Sequence, residues 1–305
     1  MNNQVKFAIT AIIIVIPLSS YSVWASDSGF QFKETSDTNK LQVISSFYPL
    51  YEFAKQVGQD KLDVKLLVPE GVEPHDWEPT IQDVQLIQKS DLVIINGLGF
   101  ENWAENLAEM KYQGVVVDTS KGIVKNKIFE ESSEHEINES DPHIWLNPVS
   151  AKVQVENIVN AFSKSDPQNQ KFFQQNAQNY IIKLDDLDSK IRNDLSNCSR
   201  DFIAFHDAFS YFAYEYDLHQ HTIIASNDPH AEPTAKTLEN VINTARELNL
   251  KVIFTEDTVN PKISNVVANE IDGKILVLSP LEISGEGDYI SRMIMNLDNL
   301  KEALC

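Results

Sequence analysis

Residues Leu41–Val68 read LQVISSFYPLYEFAKQVGQDKLDVKLLV, and this stretch decides the fold. LQVISSF and LDVKLLV are short apolar runs rich in β-branched residues. The segment between them, from about Pro49, has the length and amphipathic spacing of a helix. Strand, helix and strand in that order describe two parallel strands joined by a crossover helix. The pattern continues outward. DLVIIN and GVVVD add strands ending near residues 96 and 118, with helices expected from about Thr80 and Trp103. It resumes after residue 200, where DFIAF, HTIIA, KVIFT and KILVL read as strands and helices are expected from about 207, 233, 262 and 287.

Between these halves lie two helices and no strand. Asn147-Pro148 starts the first, with asparagine as cap and proline at the first helical position. The second runs from about Pro167 to Leu195. Its apolar residues Phe173, Ala177, Tyr180, Leu184, Leu187, Ile191 and Leu195 recur at steps of four and three, which makes one continuous stripe. At 1.5 Å per residue it spans roughly 43 Å, enough to pass from one lobe to the other and to limit them to small relative motions. The expected architecture is α/β: two βα lobes with mostly parallel sheets joined by a long rigid backbone helix. The expected layout is 1–25 signal peptide or N-terminal anchor, 26–40 leader or tether, 41–165 N-terminal lobe, 166–197 linking helix and 198–305 C-terminal lobe.

The N-terminus and composition bound the compartment and the partners. Lys6 precedes an apolar run from Phe7 to Leu18, and Val23-Trp24-Ala25 offers small positions before Ser26, the three parts of an export signal. Uncut, the stretch from Phe7 to Ala25 is just long enough to span a bilayer. Either way the body is expected outside the cytoplasm. With no cysteine near this point, a lipidated N-terminal cysteine is not expected. The net charge of −20, or −21 once Lys6 is removed with no acid, disfavours nucleic acid and anionic lipid as partners. Cys198 and Cys305 are the two cysteines, an even count that suits one disulfide in an exported chain.

Seven histidines are present, at 75, 135, 143, 206, 219, 221 and 230. Ligands of open parallel α/β sheets bind beyond the carboxyl ends of the strands. His206 follows DFIAF directly, His75 lies in the loop after LDVKLLV and His143 in the long loop after GVVVD. His230 also lies at the correct end and competes. His219 and His221 precede their strand, and His135 lies in the glutamate-rich IFEESSEHEINES (128–140), read as a mobile loop. Two of the favoured three belong to the first lobe and one to the second, so they meet only in the cleft between lobes. Any one of them alone reads as an ordinary loop histidine; three convergent imidazoles suit zinc. Pro74, Pro142 and Pro148 stiffen the backbone beside His75 and His143. Asp76, Asp141 and Asp207 stand next to the three histidines as candidate carboxylates for their second ring nitrogens, or as helix caps and surface charges.

Three motifs together, VEPHDWEPTIQDVQLIQKSDLVIINGLGFENW, SDPHIWLNPVSAK and FIAFHDAFSYFAYEYDL, resemble the metal-binding solute-binding proteins of zinc/manganese ABC importers, solute-binding protein family 9. DPHAEPTAKTLENVINTARELNLKVIFTED and GEGDYISRMIMNLDNLKEAL fit as well, and the likeness covers about residues 41 to 304. The resemblance implies one metal ion between two α/β lobes, delivered to a membrane permease. It places ligands on His75, His143 and His206. A histidine at the third position goes with zinc, an acid with manganese, in keeping with imidazole's preference. The fourth ligand is commonly an aspartate after the last strand, where this chain has VLSPLE with Ser279 in its place. Glu282, three residues on, is the candidate fourth ligand, otherwise water; Glu256 after KVIFT is expected behind the ligands.

The function expected is high-affinity extracytoplasmic zinc binding, less readily manganese, by a monomer that serves an ABC permease. Affinity is expected to weaken as pH falls through about 6–6.5, where imidazoles protonate. Two alternatives share the residues: a surface adhesin on the same fold, and a zinc hydrolase using three histidines, an activated water and Glu282 or Glu256 as base. The chain has neither a helical HExxH nor an evident substrate-orienting constellation, so no enzyme is expected.

Overall fold

The computed structural model describes residues 40–123, 141–226, 228–257 and 259–305. The expected signal, most of the leader and the glutamate-rich loop with His135 lie outside the described residues. Strands β1 (Leu41–Ser45), β2 (Leu62–Leu66), β3 (Leu92–Ile95) and β4 (Val115–Asp118) form one sheet in the order β2-β1-β3-β4. Strands β5 (Asp201–His206), β6 (His219–Ile224), β7 (Val252–Thr255) and β8 (Lys274–Val277) form a second in the order β6-β5-β7-β8. Every pairing is parallel. Both sheets reverse winding direction at their first strand, which opens a crevice at the carboxyl ends of β1 and β5.

Helix α1 (Tyr48–Gly58) is the crossover from β1 to β2. Pro49 sits in its first turn, and Tyr48, Leu50, Phe53, Ala54 and Val57 form its buried face. It ends at Gly58, where an added Cβ would sit 2.6 Å from Leu62 Cδ1, so any larger residue would displace the Leu62 side chain at the start of β2. Helix α2 (Ile81–Lys89) begins with a reciprocal cap between Thr80 and Asp83. Trp103 lies in a short 3-10 turn (Asn102–Asn106) rather than the expected helix. That turn has no side-chain cap, and Trp103 is pinned in the core edge-on to Trp77.

Helix α3 (Pro148–Ser165) starts as the sequence indicates, Asn147 Oδ1 accepting from Val149 N at 2.8 Å. Helix α4 (Gln170–Leu195) follows a 3-10 turn at Pro167–Asn169, closed by Asp166. The regular part is therefore 26 residues, about 39 Å. All seven stripe residues are buried. They pack against α1 and α3 of the first lobe and against α8 (Tyr289–Leu304) of the second, which makes α4 the shared spine. In the second lobe α5 (Ser210–Glu215) begins three residues later than expected, because Asp207 accepts from Ser210 Oγ and holds a turn there. Helices α6 (Ala235–Glu247) and α7 (Lys262–Glu270) cover the remaining face.

The lobes also touch directly above the spine. Trp145, wedged against Phe47 and Phe100, donates from Nε1 to Pro280 O at 2.7 Å, and its carbonyl accepts from Tyr289 Oη at 2.6 Å. Cys198 and Cys305 are disulfide-bonded, tying the approach to β5 to the end of α8. Among the described residues no helix is long and apolar enough to cross a membrane.

Candidate metal centre

Four side chains, three from loops and one from a strand end, converge where the carboxyl ends of the two sheets face each other. His75 follows β2, His143 precedes the 3-10 turn Ile144–Leu146, His206 ends β5 and Glu282 follows β8. His143 and His206 are fully buried and Glu282 nearly so; His75 keeps a narrow opening, its side chain 11% exposed. His75 Nε2 lies 3.3 Å from His143 Nε2, which lies 3.3 Å from His206 Nε2. Glu282 Oε1 is 3.1, 3.3 and 3.9 Å from the Nε2 atoms of His75, His143 and His206. All four ligating atoms lie within 4.8 Å of one another. A tetrahedron with zinc bonds of 2.0–2.2 Å has edges of about 3.3–3.6 Å, close to this spacing.

The rings are held so that their Nε2 atoms look inward. Asp141 Oδ1 faces His143 Nδ1 at 2.8 Å and also accepts its backbone N–H at 3.0 Å. Glu256 Oε1 does the same for His206, at 2.6 Å to Nδ1 and 3.2 Å to the backbone. His75 rests edge-on against Phe100, and Glu73 accepts its backbone N–H at 3.3 Å. A carboxylate behind each buried ring fixes the tautomer and raises the basicity of the inward nitrogen.

The charges respond to this crowding. Burial alone would push the His143 imidazole down, but hydrogen bonds to Asp141 and Glu282 overcome it and hold the group at about 10. Burial would likewise raise Glu282, yet the charge of His75 and the hydrogen bond from His143 hold it well below the usual carboxylate range. Glu73 is pushed up to about 9 by burial and by the charge of Glu282. Without a cation, the cluster therefore keeps a proton on His143 at neutral pH to offset its carboxylates.

A buried three-imidazole, one-carboxylate cage between two parallel-sheet lobes is matched along the whole described body. The family model "Zinc-uptake complex component A periplasmic", ZnuA, covers residues 43–303. This chain belongs to the ZnuA family. It is 41% identical to the high-affinity zinc uptake system protein ZnuA of Bacillus subtilis (strain 168) over 287 residues, 88% of this chain and 89% of that protein. The Zn(II)-bound ZnuA-like domain of Streptococcus pneumoniae AdcA superposes with a TM-score of 0.75 at 33% identity, covering 87% of this chain and 98% of that one. The laminin-binding protein Lmb of Streptococcus agalactiae, described as bifunctional with adhesin and metal-transporting activity, gives 0.79 at 30% identity, over 87% and 99%. The ZnuA family is a periplasmic component of zinc uptake, and its members are transport proteins rather than enzymes.

Within this ZnuA-family cage the expected ligands and their supports separate clearly. His75, His143, His206 and Glu282 come together; Ser279 does not. Its Oγ bonds Asp257 and accepts from Arg292 Nη2 at 3.0 Å, while its N–H donates to Asn296 Oδ1 at 2.8 Å, so it faces the second lobe. Leu281, with φ +58°, turns the chain between Ser279 and Glu282. Of the acids beside the histidines, Asp141 alone backs its ring. Asp207 engages Ser210 and Gln220, Asp76 is exposed, and Glu256 occupies the place behind His206. His230 is exposed at the protein surface. Two acids carried no clear signal: the half-buried Glu73, two residues before His75, and the buried Glu101, which accepts from Ser46 Oγ at 2.6 Å and from the N–H groups of Asn96 and Gly97.

Proposed function

We propose that this chain captures zinc outside the cytoplasm with His75, His143, His206 and Glu282 and hands it to an ABC permease. One observation carries the reading: four donor atoms, three of them on buried residues, converge from both lobes to within 4.8 Å of one another, close to the spacing of a zinc tetrahedron. Imidazole at position 206 favours zinc over manganese, since manganese prefers oxygen donors. Zinc here is cargo. Two ligands come from each lobe, so a small lobe displacement suffices to loosen it, and the working units are the lobes 41–165 and 198–305 joined by 166–197. The chain acts as a monomer, exported by the N-terminal segment that is then cleaved or kept as an anchor.

Titration calorimetry of the apo protein with a competing chelator tests this. Nanomolar zinc affinity, about 12 kcal/mol, is expected, together with its collapse in His143→Ala. Millimolar affinity in the unaltered protein would overturn the uptake role.

A further inference from the structure

The edge strand β6 opens with His219 and His221, two residues apart and hence on one face of the sheet. In the parallel register Asp201 of β5 stands opposite His219, and Ile203 opposite His221. Paired residues share a face, so Asp201 lies on it too. Deeper along the same face Ile203, Phe205 and Ile223 are buried with Val241 and Ala245 of α6. The three polar side chains thus occupy the open rim of that layer. Asp201 Oδ1 is 2.9 Å from His221 Nε2 and 3.5 Å from His219 Nδ1.

We propose that Asp201, His219 and His221 form a second, surface site for a borderline divalent cation of the zinc–copper class. Two imidazoles and a carboxylate are the donor set such ions select, and the chain's charge of −20 draws cations to it. The backbone beneath is fixed. His219 N donates to Arg200 O at 2.8 Å, Ser199 N donates to Leu304 O at 2.9 Å, and the Cys198–Cys305 disulfide lies three residues before Asp201. His219, 66% exposed, has room to turn its ring onto an ion held by the other two. The nearby Arg200 guanidinium donates to Leu195 O and Ser196 O, on the side of the α4 terminus. Asp201 and His206 stand at opposite ends of β5, five residues or about 16 Å apart, so this site and the cleft fill separately. With His219 exposed and His221 and Asp201 partly exposed at the sheet edge, it binds more weakly than the enclosed cage and accepts water as further ligands.

Equilibrium dialysis against Zn2+, well above the level that fills the cleft, compares the unaltered protein with His219→Ala/His221→Ala. The double variant is expected to bind one equivalent fewer and to keep the tight equivalent. In NMR spectra the imidazole signals of His219 and His221 should move only beyond the first equivalent. His143→Ala should show the reverse loss, which keeps failure of the cleft reading distinct from failure of this one. Equal zinc counts in the unaltered and double-variant proteins, or ring signals that do not move, would overturn the proposal.

Discussion

Replacing Glu256 by glutamine tests whether the carboxylate behind His206 tunes the metal cage. Glu256 is 5% exposed, and its Oε1 serves both Nδ1 and the backbone N–H of His206. Glutamine keeps the shape and an acceptor oxygen, so the ring stays in place, but it removes the charge. Charge-assisted hydrogen bonds are roughly twice as strong as neutral ones. Loss of such a partner behind a metal-bound histidine typically costs 10–100-fold in affinity, about 1.4–2.7 kcal/mol. Asp207→Asn is the internal control: it is next to His206 in sequence, yet it bonds Ser210 and Gln220 instead of the ring. Chelator competition with zinc should therefore show a one- to two-decade loss for Glu256→Gln and little change for Asp207→Asn. Equal losses in the two variants, or none in the first, would refute the assignment.

The remaining expectations concern the cage, its protons and two supports. Glu282→Ala should weaken zinc by more than Glu256→Gln in the same competition assay, since it removes a donor that lies within 3.9 Å of all three rings. Because His143 is held at about 10 in the metal-free cage, zinc must displace its proton at pH 7–8. Affinity should then rise about tenfold per pH unit for each proton released, across neutral pH and not only near 6–6.5, and calorimetry in buffers of different ionisation enthalpy counts the protons. Cys198→Ser should lower unfolding free energy by about 4–5 kcal/mol in urea while leaving zinc affinity near its starting value, since the bridge lies at the far end of β5 from His206. Burial raises Glu101 to about 7 from an ordinary 4.5, so the folded state binds the extra proton between those values. Its stabilising share is full below about pH 4.5 and lost by pH 7, up to about 3 kcal/mol, and Glu101→Gln should flatten the denaturation midpoint across that window.

Much of this was legible because strand ends are legible. The apolar runs located eight strands, and the rule that ligands gather at their carboxyl ends separated His75, His143 and His206 from His219 and His221 without any reference to relatives. Pairing between distant strands was not legible. Glu256 was expected behind the ligands, but which ring it backs is set by the pairing of β5 with β7, which puts it behind His206, where sequence adjacency also offered Asp207. Glu282 was legible as a candidate only, since the left-handed turn at Leu281 that aims it into the cleft falls on a leucine, a residue that does not announce such a conformation. Trp103 failed for a related reason: its local spacing suits a helix, but contacts with Trp77 and the core fix a shorter turn. The spine was legible almost residue by residue, because a stripe at steps of four and three has no competing reading over that length.

The way the ion is shared determines how it can leave. His75 and His143 come from the first lobe, His206 and Glu282 from the second, and the inward nitrogens of His143 and His206 stand only 3.3 Å apart. Zinc–nitrogen bonds of about 2.0–2.1 Å tolerate little stretching, so separating the lobes by an ångström or so at the cleft leaves a pair of ligands on each side instead of a closed cage. The spine α4 packs on both lobes along its buried stripe, which opposes a wide hinge opening but not a slight rocking about its axis. Among the described residues, the cross-lobe hydrogen bonds strained by such a rocking include Trp145 to Pro280, Tyr289 to Trp145, Asn147 to Tyr211 and Glu215, Tyr48 to Gly287 and Tyr211 to Asp141. The last two end on the loops that carry the cage or back its rings. Tyr211 reaches the carbonyl of Asp141, whose carboxylate orients His143, so a partner that pulls on α5 moves the support of a ligand before it moves the ligand itself. A cage whose closure depends on a handful of cross-lobe hydrogen bonds can combine tight capture with release on docking, because the docking partner has to supply only the free energy of those contacts and of one broken half of the coordination shell.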